Sequence, residues 1–475
     1  MMDEMRCTAP LAENDVLAAP RRAGWMIVAA VTLGFAIHVN NGVLHAVGIL
    51  WLSASLAALC AAFVKLPAGA RFLRFPPARL PELIAAGIFI QFILLLCCQE
   101  PGAWRSPVLG TTHFMLLAIG LGLCELMFFV PSLAGRIFPL VLVVFTGLGA
   151  LAIHANAQPH IDVWRAQTAG LDAMRSGGDP WSSTIADLYH LPDLYSPGTV
   201  RDGVVHLGFP YPPLMVYADL PGYWLCGDYR YGYLAATVLA AIFIVGATPG
   251  RSGYLLAALF LFTPRAFHVL SQGWSEPVMV MLLAATVWCA RKRPRALPLV
   301  LGLFLVSKQY APLAVIPALL LARTWKARAV MFGKAALVGL LVSLPLALWN
   351  TPAFIHSTLG VAAGTKFRMD SLCFIAWIGN VAGWEVPAWA GSISYIAGVS
   401  AGIFAVRRSP RSPAGFSAAV SLAFLCFFAV NKFAFCNYYH FIIAALCIGA
   451  GAEMQTAPVT IRLPDSDELD YAVAA

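Results

Sequence analysis

The chain has few charged residues for its length. Asp, Glu, Lys and Arg make up 11% of its 475 residues, whereas a soluble protein carries about 25%. This shortage excludes a water-facing surface over most of the molecule. The hydrophobic content of 60% also excludes a disordered chain, a coiled coil and a collagen-like chain. Sixty per cent of 475 residues supplies about fourteen membrane spans of ~20 residues each, so the composition predicts an all-α polytopic membrane protein.

Several motifs of soluble enzymes are missing as well. The sequence has no His-Glu-x-x-His, no glycine-rich phosphate loop and no Cys-x-x-Cys. Asp465-Ser466-Asp467 resembles the Asp-x-Asp motif of enzymes that use a metal and a nucleotide sugar, but it lies in an acidic C-terminal tail that we interpret as solvated. We therefore expect no cofactor and no resident metal, although a divalent ion on the outer carboxylates stays open. The net charge of +8 is typical of cytoplasmic loops in a membrane protein and predicts no nucleic-acid partner.

The long apolar runs predict about fourteen transmembrane helices. They lie near 24–39, 42–64, 82–98, 107–131, 136–155, 231–247, 253–270, 277–290, 296–307, 309–322, 329–349, 390–406, 414–430 and 438–452. Basic residues cluster between some of the runs and predict cytoplasmic loops there, with both termini inside: Arg21 and Arg22; Lys65, Arg71, Arg74 and Arg79; Arg291, Lys292, Arg293 and Arg295; Arg323, Lys326 and Arg328; Arg407, Arg408 and Arg411. This orientation requires that the apolar piece 371–383 is re-entrant or interfacial and does not span. The expected location is a bacterial inner membrane.

The segment 156–230 differs from the rest of the chain. It carries eight Asp and four Arg but no Lys, and it is rich in Pro, Gly and aromatic residues. Its charge is opposite in sign to that of the basic loops, so we place it on the extracytoplasmic side. Within it, the spacing from 161 to 176 predicts a short amphipathic helix on the outer membrane surface, ended by Gly177-Gly178. Ile161, Trp164, Leu171 and Met174 form its apolar stripe.

Asp162 begins this predicted helix, where the fifth span leaves the membrane. From this segment alone, two interpretations stay open. The carboxylate either complements the helix dipole and pairs with Arg165, or it serves as a catalytic base. The motifs Gly178-Asp179-Pro180-Trp181 and Phe209-Pro210-Tyr211-Pro212-Pro213 predict rigid turns whose aromatic rings either anchor the segment at the bilayer interface or stack on a sugar.

The order of these motifs resembles that of the GT-C membrane glycosyltransferases, most closely glycosyltransferase family 87, which uses polyprenol-phosphate-mannose. After Asp162 and the two proline motifs come Ser271-Gln272-Gly273-Trp274-Ser275-Glu276, Lys308-Gln309-Tyr310-Ala311-Pro312 and Asn437-Tyr438-Tyr439-His440. The resemblance covers about 136–452. Four additional spans precede this region, and Trp181 stands where the family usually has Tyr. The implied organisation is a cytoplasmic N-terminus (1–23), extra helices (24–131), a catalytic module (132–452, including the outer segment 156–230) and a cytoplasmic tail (453–475).

The resemblance implies transfer of mannose, or another hexose or pentose, from a polyprenyl phosphate to an acceptor hydroxyl on the periplasmic side, with inversion. Asp162 matches the general base. A lipid phosphate leaving group needs cations rather than an acid. The expected acceptor is a glycolipid or a polysaccharide. The residues predicted to bind the substrates are Arg165, Asp179, Tyr211, Arg265, Gln272, Glu276, Lys308, Lys366, Arg368, Tyr438 and His440. A transporter or lipid-linked-sugar flippase, and a non-catalytic scaffold, are the alternatives.

Overall fold

The chain folds almost entirely into helices. A computed structural model describes residues 13–64, 75–97, 106–191 and 194–455, is 75% helical and has almost no strand. The predictions for Lys65, Arg71, Arg74 and Asp465-Ser466-Asp467, and for most of both termini, lie outside the described residues. The described α-helices are α1 (Glu13–His38), α2 (Ala46–Phe63), α3 (Leu80–Leu96), α4 (Pro107–Phe129), α5 (Ala134–Ala155), α6 (Asp162–Arg175), α7 (Pro213–Cys226), α8 (Arg230–Ala247), α9 (Arg251–Leu261), α10 (Ala266–Gln272), α11 (Glu276–Lys292), α12 (Leu297–Leu305), α13 (Val315–Ala318), α14 (Trp325–Ala347), α15 (Thr351–Ile355), α16 (Val361–Gly364), α17 (Phe374–Ala382), α18 (Ile393–Arg408), α19 (Pro413–Phe428) and α20 (Cys436–Met454).

Seven helical stretches of the described chain are long and apolar enough to cross a membrane. They are Ala46–Phe63, Pro77–Leu96, Pro107–Phe129, Pro131–Ala155, Arg230–Ala247, Trp325–Ala347 and Ala388–Arg408. The helices α9 and α10 form an eighth if they are one span, which is bent by 52°. Each of these stretches coincides with a predicted apolar run. The chain is therefore an all-α multi-pass membrane protein, whereas a total of fourteen spans is not confirmed.

The region around Lys308 departs from the sequence prediction. The run 309–322 is not one continuous helix, because short 3-10 turns flank the four-residue helix α13. Pro312 and Pro317 interrupt the regular pattern of backbone hydrogen bonds, since proline has no N–H to donate. The preceding helix α12 has only nine residues. Lys308 therefore lies in a break between two short helical pieces.

The apolar piece 371–383 contains only a short helix. Helix α17 has nine residues, which at ~1.5 Å per residue reach about half of the ~30 Å hydrocarbon core. This length agrees with the predicted segment that enters or lies on the membrane without crossing it.

The helix bundle has two distinct ends. At one end, here called the Arg22 end, Arg22 forms an ion pair of 2.8 Å with Glu453, and Arg291 donates to the carbonyl oxygen of Ala452. At the other end, here called the Asp162 end, Arg230 donates to the carbonyl oxygen of Asn156. Helices α8 and α11 run between the two ends. The basic loop 291–295 and the segment 156–230 thus lie at opposite ends of the bundle, as their charges predict.

The segment 156–230 is a folded cap on the Asp162 end. It contains α6, α7 and a small antiparallel sheet of β1 (Ile185–Ala186), β2 (Val200–Arg201) and β3 (Val204–Val205) in the order β1-β3-β2. Ile185 and Val200 both align with Val205 in the sheet. Asp202 and Gly203 connect β2 and β3 with positive φ angles of 51° and 74°, which is the geometry of a type I′ hairpin turn.

Candidate active site

Asp162 is fixed at the beginning of α6 by the connection between β1 and β2. Its Oδ1 accepts a hydrogen bond of 2.8 Å from the backbone N–H of Val163, and its Oδ2 accepts one of 3.0 Å from the hydroxyl of Tyr195. The backbone N–H of Asp162 itself donates to the hydroxyl of Tyr189 at 3.2 Å. Both tyrosines come from the β1–β2 connection, which folds over the start of α6. Among the described residues, Asp162 forms no hydrogen bond or ion pair with Arg165, so the predicted i,i+3 pair is absent.

The surroundings of Asp162 change its acidity. Burial raises the pKa of the Asp162 carboxyl above its ordinary value, and the hydrogen bond from Tyr195 and the positive charge of Arg368 offset part of this rise. Burial, together with the negative charge of Asp162, also raises the pKa of Tyr195, so this phenol keeps its proton and remains a donor. A carboxylate with a raised pKa is a stronger base than an exposed one.

Helix α6 packs on the protein through a polar residue. Its predicted boundaries are confirmed, and Leu171 of the predicted stripe is fully buried. The centre of its buried face, however, is Gln167, which donates to the hydroxyl of Tyr229 at 2.8 Å and to the carbonyl oxygen of Gly273 at 2.9 Å. Tyr233 donates to the side-chain oxygen of Gln167. The helix therefore contacts the bundle through a polar side chain as well, a contact that the apolar stripe does not predict.

A second group of predicted residues meets around Lys308. Its Nζ lies 2.9 Å from Oε1 of Glu276 and 3.8 Å from the centre of the Tyr211 ring. The hydroxyl of Tyr310 donates to the same Glu276 oxygen at 3.1 Å, and the Tyr310 ring contacts Tyr438. We call these five residues the Lys308 cluster. It combines a buried ion pair with a cation–π contact.

Two fully buried charged residues near the Lys308 cluster, Asp219 and Arg230, were not predicted from the sequence. Asp219 is fully buried beside Tyr233 and interacts electrostatically with Lys308. Arg230 is also fully buried and donates to the carbonyl oxygens of Asn156 and Ser271. Arg230 therefore ties the start of the outer segment to the end of α10.

The positive charge of Arg368 acts both on Asp162 and on the Lys308 cluster. Its guanidinium forms a two-point hydrogen-bonded pair with Asp370 and rests over the ring of Phe435. Its charge acts on both Asp162 and Tyr438. His440 is associated with the Lys308 cluster, because it interacts electrostatically with Glu276.

Other predicted site residues have different surroundings. Asp179 caps a 3-10 turn by accepting from the backbone N–H of Trp181 and the side-chain amide of Asn350. Arg265 lies at the bend between α9 and α10, where it donates to the carbonyl oxygen of His38. Lys366 is 55% exposed and pairs with Glu385 at 3.6 Å. Gln272 is the last residue of α10, next to Gly273. Among the described residues, Asp179, Arg265 and Gln272 form no hydrogen bond or ion pair with Asp162 or with a member of the Lys308 cluster.

The aromatic residues of the outer segment are mostly packed inside it. Trp181 is 2% exposed and lies against Phe354, and Phe209 is fully buried. These two rings are therefore structural, and the alternative that they stack on a sugar is wrong for this conformation. Tyr211 is 9% exposed and belongs to the Lys308 cluster through its contact with the Lys308 Nζ.

Most of the added residues give no local signal in the sequence. Tyr195 lies 33 positions after Asp162 and Gln167 lies 62 before Tyr229, so only the folded cap shows that they interact. Tyr310 lies two positions after Lys308 in the same motif. This closeness in sequence was the signal that could have identified it as a site residue. Within the described ranges, no group of three or more His, Cys, Asp or Glu is arranged to hold a metal ion.

Fold and site together define a class: an all-α multi-pass membrane protein with a folded cap that covers a buried charged site at one end of its helix bundle. Comparison of the chain with protein-family models, curated proteins and solved structures gives no match.

Proposed function

We propose that this protein is a GT-C-type glycosyltransferase that moves a sugar from a polyprenyl phosphate to an acceptor hydroxyl, with Asp162 as the general base. The observation that carries this proposal is the setting of Asp162. A half-buried carboxylate with a raised pKa is held by Tyr195 on an ordered cap at one end of the bundle.

The proposed reaction is a single in-line displacement. The acceptor hydroxyl oxygen forms a bond to the anomeric carbon, and its proton goes to the Asp162 carboxylate. The bond from the anomeric carbon to the phosphate oxygen breaks, and its electron pair leaves with the polyprenyl phosphate. Because attack and departure occur on opposite faces, the anomeric configuration inverts.

The leaving phosphate needs positive charge rather than a proton donor. Arg368 is a cation whose charge acts on Asp162, and Lys308 supplies a second, buried cation at the same end of the bundle. Their partners Asp370 and Glu276 hold them in place before substrate binds. We propose that these two cations stabilise the phosphate as charge develops on it.

The substrates and the location follow from the same proposal. The donor carries mannose or another hexose or pentose, and the acceptor is a glycolipid or a polysaccharide. The Asp162 end faces the periplasm, and the basic loop 291–295 at the other end faces the cytoplasm of a bacterial inner membrane. The predicted subdivision into extra helices 24–131 and a catalytic module 132–452 belongs to this proposal as well.

A transporter or lipid-linked-sugar flippase is the second candidate, and one observation favours it. The 52° bend between α9 and α10 has Arg265 at its corner, and transporters often place substrate sites at broken helices. The buried pair of Lys308 and Glu276 fits that description too. A flippase, however, has no use for a base on the cap.

The cellular test compares lipids from cells with and without the gene by mass spectrometry. Loss of one glycosylated lipid or polymer, restored by the wild-type gene but not by Asp162→Asn, supports a transferase. Asp202→Asn is the matched control, because Asp202 is an exposed turn residue of the same cap with a positive φ that asparagine adopts readily. Restoration by Asp162→Asn would contradict the proposal. A lipid composition that is the same with and without the gene, together with loss of movement of a lipid-linked sugar across the membrane, would favour the flippase.

A further inference from the structure

Tyr195 is tied to the helix that carries Asp162 by its own small hydrophobic cluster. Its ring is 7% exposed and packs with Ala166, Ile185, Val205 and Leu207 beneath the cap. This cluster is separate from the large core of the bundle. The ring therefore holds its hydroxyl in a fixed position relative to α6.

The chain on either side of Tyr195 is also restrained. The side chain of Ser196 bonds to that of Thr199 at 2.7 Å, and the backbone N–H of Thr199 donates to the carbonyl oxygen of Ser196. Before Tyr195, the carboxylate of Asp187 accepts from the backbone N–H of Tyr189. Hydrogen bonds before and after Tyr195 therefore restrain the chain that brings this residue to Asp162.

We propose that Tyr195 is a positioning residue that orients the Asp162 carboxylate and keeps it ionised for proton transfer. This inference rests on the proposed function of Asp162. The hydroxyl donates to Oδ2 while the Val163 N–H occupies Oδ1, so the carboxylate cannot rotate without losing a bond. A hydrogen bond donated to a carboxylate favours its charged form.

Other charged and titratable side chains of the described residues lie around this carboxylate. Tyr189 and Arg368 interact electrostatically with Asp162. Asp187 interacts electrostatically with Tyr195. Asp370 pairs with Arg368, and the ring of His160 contacts that of Tyr189. Tyr189 accepts a bond of 3.2 Å from the backbone N–H of Asp162 and also interacts with the Asp162 carboxyl through its hydroxyl. Tyr195 differs from Tyr189 in donating its hydroxyl directly to Oδ2, at 3.0 Å, so its removal takes away this bond and leaves the backbone contact of Tyr189 in place.

The test is the pH profile of sugar transfer by the full-length protein, with farnesyl-phosphate mannose as donor and lipids from gene-deleted cells as acceptor. In Tyr195→Phe, we expect the acid limb to move to higher pH and turnover on that limb to fall about tenfold, which is the effect of one hydrogen bond to a charged group. The acid limb should stay in place in Tyr254→Phe. Tyr254 packs on Phe138 at the start of α5, and Asp162 follows the other end of that helix.

A second substitution keeps both the ring and the hydroxyl and so guards against misfolding. Incorporation of 3-fluorotyrosine at position 195 makes the phenol a stronger donor, and the acid limb should move to lower pH. An unchanged acid limb in both proteins, while Asp162→Asn is inactive, would overturn the positioning role alone. Wild-type turnover by Asp162→Asn would instead overturn the proposed function on which this inference rests.

Discussion

The Nζ of Lys308 lies 2.9 Å from Oε1 of Glu276, and the two side chains are only 2% and 0% exposed. Lys308 lies in the break after α12, and Glu276 is in the first turn of α11, where a helix favours negative charge. The pair therefore joins two elements that no continuous helix connects. Because both charges are buried, each depends on the other for compensation.

Removal of one partner of this pair should destabilise the protein strongly. Lys308→Met leaves Glu276 charged and buried, and we expect the free energy of unfolding in mixed micelles to fall by about 3–5 kcal/mol. The double variant with Glu276→Met should recover most of this loss. Lys366→Met is the control, since it removes the exposed lysine of the Lys366–Glu385 pair and should change stability by less than about 1 kcal/mol. Equal stability of Lys308→Met and wild type would contradict the role of the pair.

Arg230 should matter through the shape of its guanidinium as much as through its charge. It donates to three backbone carbonyls and to Asp228, and lysine cannot reproduce this fork. We expect Arg230→Lys to lower the free energy of unfolding by about 2 kcal/mol or more. Arg201→Lys, at an exposed arginine with one carbonyl partner, should have almost no effect. A loss of the same size in both would mean that Arg230 does not anchor the cap.

The contact between the cap and the π-helical turn His356–Gly360, which follows α15, can be tested at a glycine. Gly208 has a φ of 64°, and a Cβ there would collide with Ser357 and with the carbonyl of Trp181. Gly203 has a φ of 74° but open space around it. Both alanine variants bear the cost of about 1–2 kcal/mol for a left-handed residue. In thermal unfolding, we expect the free energy of unfolding to fall by about 2 kcal/mol more in Gly208→Ala than in Gly203→Ala. Similar losses in the two variants would show that Gly208 is not tightly packed against Ser357 and Trp181.

The pH dependence of turnover follows from the sign of the Asp162 shift. Since burial raises the pKa of this carboxyl, the base form is lost as pH falls through a value above the ordinary Asp pKa of about 3.9. The charge of Arg368 lowers the pKa of Asp162. Arg368→Met should therefore move the acid limb of the pH profile to higher pH, with a loss of about threefold or more on that limb.

Lys366→Met provides the matched control two positions away, because Lys366 pairs on the surface with Glu385. Its acid limb should coincide with that of the wild type. An acid limb that moves to lower pH in Arg368→Met would contradict the electrostatic assignment.

The sequence predicted the parts of this structure that depend on local composition. The apolar runs located the seven candidate spans, and the 161–176 spacing located α6 within one residue at each end. The charges separated the segment 156–230 from the loop 291–295, which do lie at opposite ends of the bundle. Each of these features is encoded by residues that are neighbours along the chain.

The remaining features depend on contacts between distant positions. The pairing of Tyr195 with Asp162 and of Gln167 with Tyr229 exists only because the cap folds back on α6. The interruption of the run 309–322 was missed, because Pro312 and Pro317 lie in a run whose hydrophobicity alone suggests one continuous helix. The sequence left a surface role open for Trp181, because its burial depends on Phe354, which lies 173 positions later in the chain.

The decisive measurement is transfer of labelled mannose from farnesyl-phosphate mannose to lipids of gene-deleted cells by purified wild-type, Asp162→Asn and Asp202→Asn proteins. Because a positioned general base contributes about 10²–10⁴-fold to a rate, we expect Asp162→Asn to lose at least a hundredfold in kcat while remaining folded. Asp202→Asn should retain wild-type turnover. Transfer at the wild-type rate by folded Asp162→Asn protein would contradict the proposal that this carboxylate is the base.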